Sequence, residues 1–329
     1  MSAIRFADVT KQFANNTQPA VDHCSLTIAD GEFVVLLGPS GCGKTTLLKM
    51  VNRLYDPSAG TIYLGDVDIQ KMNVTQLRRQ IGYVIQQVGL FPHMTVAENI
   101  GVVPNLLGWP KARIQKRTDE LLALVELPPD QYRTRYPSQI SGGQQQRVGV
   151  ARALAGDPEV ILMDEPFGAI DAITRAGLQD EMLTLQRKLR KTILFVTHDV
   201  DEALRLADKI VIMRSGKIVQ YDTPLNILRD PADAFVSELV GTTDMVRHLG
   251  LVRVDTAMRP LPAHFAIDHQ PTIEYDGDLR KALSLLLQSG ASNLVVLRQD
   301  QPTGLLGLGD IRANTGANQR AAIDELPAE

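Results

Sequence analysis

The 329 residues are 44% hydrophobic and 22% charged, close to globular averages, which excludes collagenous, disordered and disulfide-scaffold classes; the length predicts two domains. A net charge of −4 shows no basic excess, so nucleic acid is not expected as a partner. Apolar runs such as Phe33 to Leu37 fall far short of the roughly 20 residues that cross a bilayer, Met1 to Thr10 has no apolar leader segment, and Cys24 and Cys42 read as free thiols in a reducing compartment.

Phe33 to Leu37 is a β-branched, apolar run followed by a glycine-rich turn and a helical stretch, Thr45 to Leu54. Tyr83 to Ile85 predicts a short strand. Residues 88–156 read as a mostly helical insert, in which Ile114, Leu121, Leu122 and Val125 mark one face of an amphipathic helix. Val160 to Met163, Thr192 to Thr197 and Lys209 to Met213 read as further buried strands of a mainly parallel sheet. Composition shifts after a helical stretch ending near Gly241, where Pro260, Pro262 and Pro271 interrupt. We therefore place a boundary between residues 241 and 242, giving domains 1–241 and 242–329. Beyond it, a βαβ-like pattern starts near Thr272, with a helix from Leu279 to Gln288 closed by Gly290, a strand from Asn293 to Leu297, and another opening at Leu305 and Leu306.

Gly38-Pro39-Ser40-Gly41-Cys42-Gly43-Lys44-Thr45 matches the phosphate-binding pattern G-x-x-x-x-G-K-[ST] and sits between a buried strand and a helix, as its physics requires. Its glycines let backbone N–H groups converge on phosphate oxygens, Lys44 adds a positive charge, and Thr45 offers a hydroxyl to Mg²⁺. This pattern alone leaves kinases, GTPases, helicases and transport ATPases open. The strand from Val160 ends in two adjacent carboxylates: Asp164 would hold Mg²⁺ through water, and Glu165 could act as general base toward the attacking water. His198 follows another strand and could reach the γ-phosphate. Gln86 follows Tyr83 to Ile85 and is an uncharged candidate for sensing Mg²⁺ and water.

Ser141-Gly142-Gly143-Gln144 precedes a helical run, Val148 to Leu154, and places a hydroxyl and glycine N–H groups at a helix start: a second phosphate-binding element. With the phosphate loop, Asp164-Glu165, Gly168 to Asp171 and His198 in this order, residues 1 to about 240 resemble the nucleotide-binding subunit of an ABC transporter. The resemblance implies an α/β fold: a P-loop ATPase core with a mainly parallel sheet, a helical subdomain over about 88–156 and an N-terminal antiparallel β part. It also implies ATP and Mg²⁺ as cofactors, with Thr45, Gln86 and Asp164 at the metal and Thr46 among the nucleotide-binding residues. Phe13 would stack on adenine. A homodimer is implied, in which Ser141, Gly142, Gly143 and Gln144 of one protomer close on the nucleotide of its partner and Asp171 links the two sites.

Val96 to Trp109, Tyr136 to Gln139 and Met163 to Ile173 resemble the importers of quaternary ammonium osmoprotectants such as glycine betaine, choline and carnitine. That subfamily implies two transmembrane permease subunits and an extracytoplasmic solute-binding protein, with this chain peripheral at the cytoplasmic face of the membrane. Leu90, Phe91 and Met94 would meet the permease. An importer of another small solute, such as an amino acid, and a non-transport ABC ATPase are the alternatives. Thr272 to Leu279 with Gly304 to Ile311 resembles one CBS motif, a small regulatory α+β unit. The hydroxyl residue that the adenosine-binding form carries three positions before its aspartate is replaced by Gly307 ahead of Asp310, which argues for a regulatory or dimer-contact role over nucleotide binding.

Overall fold

The computed structural model of the chain describes residues 4–14, 16–86, 89–168, 172–241, 249–262 and 270–313. Two compact units divide between Thr223 and Pro224. The first contains, in chain order, β1 (Ile4–Lys11), β2 (Val21–Ile28), β3 (Phe33–Leu37), α1 (Lys44–Val51), β4 (Ala59–Leu64), β5 (Val67–Asp68), α2 (Val74–Arg79) and β6 (Ile81–Val84). Then come α3 (Val96–Leu106), α4 (Lys111–Leu124), α5 (Pro129–Tyr132), α6 (Gly142–Leu154), β7 (Val160–Asp164), α7 (Ala172–Leu189), β8 (Thr192–Val196), α8 (Val200–Leu206), β9 (Lys209–Arg214) and β10 (Lys217–Asp222).

Six strands form one sheet in the order β10-β9-β3-β8-β7-β6, parallel except for the β9–β10 pair. Every residue of β3, β7 and β8 is buried. Continuous apolar runs suit strands covered on both faces, and this is why Phe33 to Leu37 and Val160 to Met163 lack polar alternation. A separate antiparallel sheet, β2-β1-β4-β5, packs its inward residues Ile4, Phe6, Leu26 and Ile28 with Leu36, Leu47, Leu162 and Leu194 in one core. Burying each such side chain contributes about 1.5–3 kcal/mol. Because β3, β7 and β8 run side by side in parallel, their carboxyl ends open on one sheet edge, and Asp164 pairs in register with Val196. In open α/β sheets that edge is where ligands bind.

Several boundaries differ from expectation. The helix after the glycine-rich turn ends at Val51 rather than Leu54, because Asn52 leaves helical geometry and Arg53 takes a left-handed φ of 48°. The short strand is Ile81–Val84, leaving Ile85 exposed. Thr197 falls just beyond β8. The 88–156 insert is mostly helical as read, and Val88 lies outside the described residues.

The second unit holds α9 (Pro224–Arg229), α10 (Ala234–Val240), α11 (Val254–Ala257), β11 (Arg259–Pro260), β12 (Thr272–Glu274), α12 (Leu279–Ser289), β13 (Asn293–Arg298), β14 (Gln301–Gly307) and α13 (Leu308–Ala313). The boundary expected between 241 and 242 borders residues 242–248, which lie outside the described residues, while α9 and α10 fall within this unit. Its sheet runs β11-β14-β13-β12, with β12 and β13 parallel across α12. Gly290, at φ 66°, closes α12 in the left-handed conformation that glycine adopts without strain. Strand β14 begins at Gln301, earlier than Leu305, because the tight turn at Gln299 and Asp300 returns the chain directly onto β13.

Candidate functional site

The loop from Gly38 to Gly43 leaves the carboxyl end of β3 and enters α1. Gly38 and Gly43 have φ of 151° and 109°, and a Cβ on them would come within 2.3 Å of Met213 O and 2.2 Å of Ala20 O. Only glycine fits either position. Gly43 caps α1 without any side-chain hydrogen bond, so the first-turn N–H groups of α1 keep their donors for a ligand.

Lys44 is 5% exposed, and its Nζ donates to Gly38 O at 2.6 Å and Pro39 O at 2.9 Å. Among the described residues no carboxylate forms an ion pair with it. A buried ammonium held by two carbonyls and the Cys42 sulfur, beside uncapped helix donors, is chemically matched to an anionic group such as a phosphate chain.

Thr45 Oγ1 donates to Asp164 Oδ1 at 3.0 Å. Asp164 is 7% exposed, and burial pushes its carboxyl up against the opposing pull of the Thr45 hydrogen bond and Lys49. Half-buried Tyr83 lies near Asp164, and burial pushes its phenol up to about 12. One hydroxyl and one carboxylate side by side form a sparse, all-oxygen donor set. Mg²⁺ favours such sets, completing its shell with water and substrate phosphates. No cluster of three or more acidic, histidine or cysteine side chains competes for a metal among the described residues.

Glu165 sits at φ 43°, a left-handed conformation that costs energy for a residue with a side chain. It is held there by its N–H on Val196 O at 3.0 Å and its carbonyl accepting from Gly168 N at 3.2 Å. The turn aims the carboxylate across the strand ends. Gln86 Nε2 donates to Glu165 Oε2 at 3.2 Å, and His198 Nδ1 lies 3.3 Å from the same oxygen. Two residues read separately from the sequence, Gln86 after β6 and His198 after β8, thus converge on the carboxylate that follows β7.

Phe13 follows β1, half-buried, and meets Tyr55 edge to face at 5.2 Å between centroids. Lys11 Nζ fixes this corner by donating to Asp56 O at 2.7 Å. Pro39, Ser40, Gly41, Cys42 and Thr46 lie in or directly after the loop, with Cys42 Sγ 3.8 Å from Lys44 Nζ. Ser141 caps α6: its Oγ accepts from Gln144 N at 3.3 Å while its N–H donates to Gln144 Oε1 at 3.0 Å. Gln144 Nε2 donates to Tyr132 OH. The hydrogen bonds of Ser141 and Gln144 therefore stay within their own neighbourhood, and Ser141 and Gly142 face open space. Asp171 lies outside the described residues.

A second feature is a cleft of about 360 Å³ lined by Arg79, Tyr83, Ile85, Gly89, Phe91 and Arg152, among others. Phe91 is 40% exposed there, and Leu90 and Met94 are half-buried. The loop is shaped by Asn99, a fully buried side chain that sequence reading missed. Its Oδ1 accepts from Phe91 N, and its Nδ2 donates to the carbonyls of Phe91, Met94 and Thr95. The capping box of Thr95 and Glu98 at the start of α3 marks the spot in sequence, but nothing marks Asn99 itself.

Residues 21–168 match the family model of the ABC transporter. Over 284 residues the chain is 51% identical to the choline transport ATP-binding protein OpuBA of Bacillus subtilis (strain 168), covering 86% of this chain and 72% of that protein. It is 46% identical over 321 residues to the glycine betaine/carnitine/choline transport ATP-binding protein OpuCA of the same organism, covering 97% and 81% of the two. In three dimensions it is similar to the dimeric post-hydrolysis state of the ATP-binding cassette MJ0796 bound to ADP and Pi. The TM-score is 0.60 at 32% identity, over 67% of this chain and 98% of that one.

Proposed function

The chain belongs to the ABC transporter family of ATP-binding proteins, and on that premise we propose that it hydrolyses ATP to drive import of a quaternary ammonium osmoprotectant through separate membrane subunits. The glycine betaine, choline and carnitine named for OpuBA and OpuCA supply the solute class. The observation that carries the hydrolytic reading is Glu165, met at one oxygen by Gln86 and His198 beside the Thr45–Asp164 pair.

In this reading the Gly38–Gly43 loop and the first turn of α1 grip the β- and γ-phosphates, and Lys44 turns its ammonium from the loop carbonyls toward them. Mg²⁺, held by Thr45 and by Asp164 through water, would neutralise charge developing on the phosphate oxygens. Glu165 accepts a proton from the water as its oxygen bonds to the γ-phosphorus and the bond to the ADP oxygen breaks. Gln86 and His198 hold the Glu165 carboxylate in line. Phe13 offers its ring to adenine.

Two protomers would pair head to tail, the open Ser141–Gln144 turn of one closing on the triphosphate of its partner; the dimeric state of MJ0796 supports this arrangement. Asp171 would link the two sites. The cleft around Phe91, with Leu90 and Met94, would receive the permease. Among the described residues no helix is long and apolar enough to cross a membrane, consistent with a peripheral role at its cytoplasmic face. A solute-binding protein outside would deliver the cargo.

The tail is read as regulatory or dimer-forming. A Cβ on Gly307 would come within 2.8 Å of Asn293 Oδ1 and 3.1 Å of Ser292 O, so a hydroxyl-bearing residue would enter only by displacing the Asn293 side chain. Asp310 is tied inward by Gly307 N at 2.8 Å and by Arg259 Nε at 2.8 Å, which supports a unit that holds its own aspartate rather than a nucleoside. Uptake of radiolabelled choline and glycine betaine by vesicles carrying the permease and this subunit tests the function. Uptake should require ATP and vanish with Glu165→Gln; ATP-independent uptake would refute it.

A further inference from the structure

Glu202, 5% exposed, is a buried carboxyl that none of the steps above uses. It stands three residues after Asp199, the N-cap of α8. A glutamate at this position ordinarily reaches back to the N–H of the capping residue. Here that N–H is taken by Thr197, whose Oγ1 accepts from Asp199 N at 3.0 Å, and Glu202 Oε2 accepts the Thr197 hydroxyl one step further out, at 2.7 Å.

Thr197 is itself 2% exposed and donates its N–H to Leu36 O of β3 at 3.2 Å. The residue before it, Val196, accepts the N–H of Glu165. Between Thr197 and Asp199 stands His198, with a side chain 60% exposed and little packing of its own to orient it. Arg175 of α7 supplies the neighbouring positive charge, 3.4 Å from Asp199 Oδ2 and 3.8 Å from Glu202 Oε1.

We propose that Glu202 is a positioning residue for hydrolysis: through the Thr197 hydroxyl it fixes the turn that holds His198 against Glu165. The inference rests on the reading of Glu165 and His198 given above. An exposed imidazole on a short strand-to-helix turn keeps a productive angle only if the backbone on both sides of it is immobile, and small misplacements at a reacting centre are costly. The Thr197 hydroxyl donates once and accepts once, and both bonds span His198. Removing either partner frees the same turn.

The test is steady-state ATPase kinetics of the full-length protein with MgATP for His198→Ala, Thr197→Val, Glu202→Ala, Glu202→Gln and the Thr197→Val/Glu202→Ala double variant. His198→Ala should lower kcat by roughly 10²-fold or more. Thr197→Val and Glu202→Ala should each lower kcat by about 10-fold, as loss of an orienting partner does, with KM for ATP changed by less than about two-fold. The double variant should be no slower than the worse single one, because Thr197→Val already removes the bond that Glu202→Ala breaks. Glu202→Gln should retain most of the activity, since its carboxamide oxygen still accepts the hydroxyl. Wild-type kcat in Thr197→Val and Glu202→Ala, beside a slow His198→Ala, would overturn the inference alone. So would multiplicative losses in the double variant, the mark of separate structural effects. Wild-type turnover in His198→Ala would remove the reading of His198 and this inference with it. Should Glu202→Ala fail to fold, the near-isosteric Thr197→Val decides.

Discussion

Thr45 Oγ1 donates to Asp164 Oδ1 across 3.0 Å, joining residues 119 positions apart, one in the first turn of α1 and the other at the end of β7. Two oxygen groups of the kind Mg²⁺ prefers are therefore prepositioned at the bottom of the phosphate loop. Asp164→Asn should raise the Mg²⁺ concentration needed for half-maximal ATPase activity by roughly 10- to 100-fold. ATP itself should still bind through Lys44 and the loop. A Mg²⁺ titration of the variant checks this, and an unchanged midpoint would exclude Asp164 from the metal site.

Glu165→Gln keeps the side-chain shape but cannot accept the proton of the attacking water. Turnover should fall by roughly 10²-fold or more, while ATP affinity stays near that of the unaltered protein. Single-turnover hydrolysis and equilibrium binding of a fluorescent ATP analogue separate the two effects.

Lys44→Ala should act on the other side of that division. The phosphates lose their main buried positive partner, so nucleotide affinity should drop by roughly 10- to 100-fold, the range for a charged hydrogen bond. Calorimetric titration with ATP measures this directly.

Glu202 also makes a pH prediction. Burial, followed by the charge of Asp199, raises its carboxyl above the ordinary glutamate range; Thr197 and Arg175 oppose the shift without reversing it. A carboxyl raised in the folded state contributes stability that is present below its unfolded value and lost as pH rises through its folded value. The melting temperature of the unaltered protein minus that of Glu202→Gln should therefore fall as pH rises through this window, then level off. Thermal unfolding from pH 4 to 8 would show it, and a pH-independent difference would contradict it.

Phe91→Asp should leave the ATPase activity of the isolated subunit intact and abolish assembly with the permease, because a charge is placed on the exposed apolar part of the cleft. Co-purification from membranes reports assembly, and the soluble ATPase assay reports folding.

The sequence disclosed the parts whose physics is local. Gly38 to Thr45 is contiguous, and the apolar run into Asp164 announces a strand end. Gly290 marks a helix stop because only its φ is special. What stayed hidden depends on pairing across the sheet. That Gln86 and His198 meet Glu165 follows from β6, β7 and β8 lying parallel in one register, which no local pattern states. The left-handed turn at Glu165 has no signal in a glutamate. Only the fold shows Thr197 taking the Asp199 N–H and leaving Glu202 to accept the Thr197 hydroxyl.

Gly142 allows the most direct test of the central claim, that two protomers complete each other's ATP sites. Among the described residues no neighbouring atom lies within 4 Å of a Cβ built on it, so a side chain at this position starts into open space and Gly142→Arg should obstruct a partner rather than its own chain. The mass of the Glu165→Gln protein, measured by light scattering during gel filtration, should about double on adding MgATP. Glu165→Gln combined with Gly142→Arg should still bind ATP yet keep the smaller mass. ATP-driven doubling that survives Gly142→Arg, or none in Glu165→Gln alone, would contradict the account.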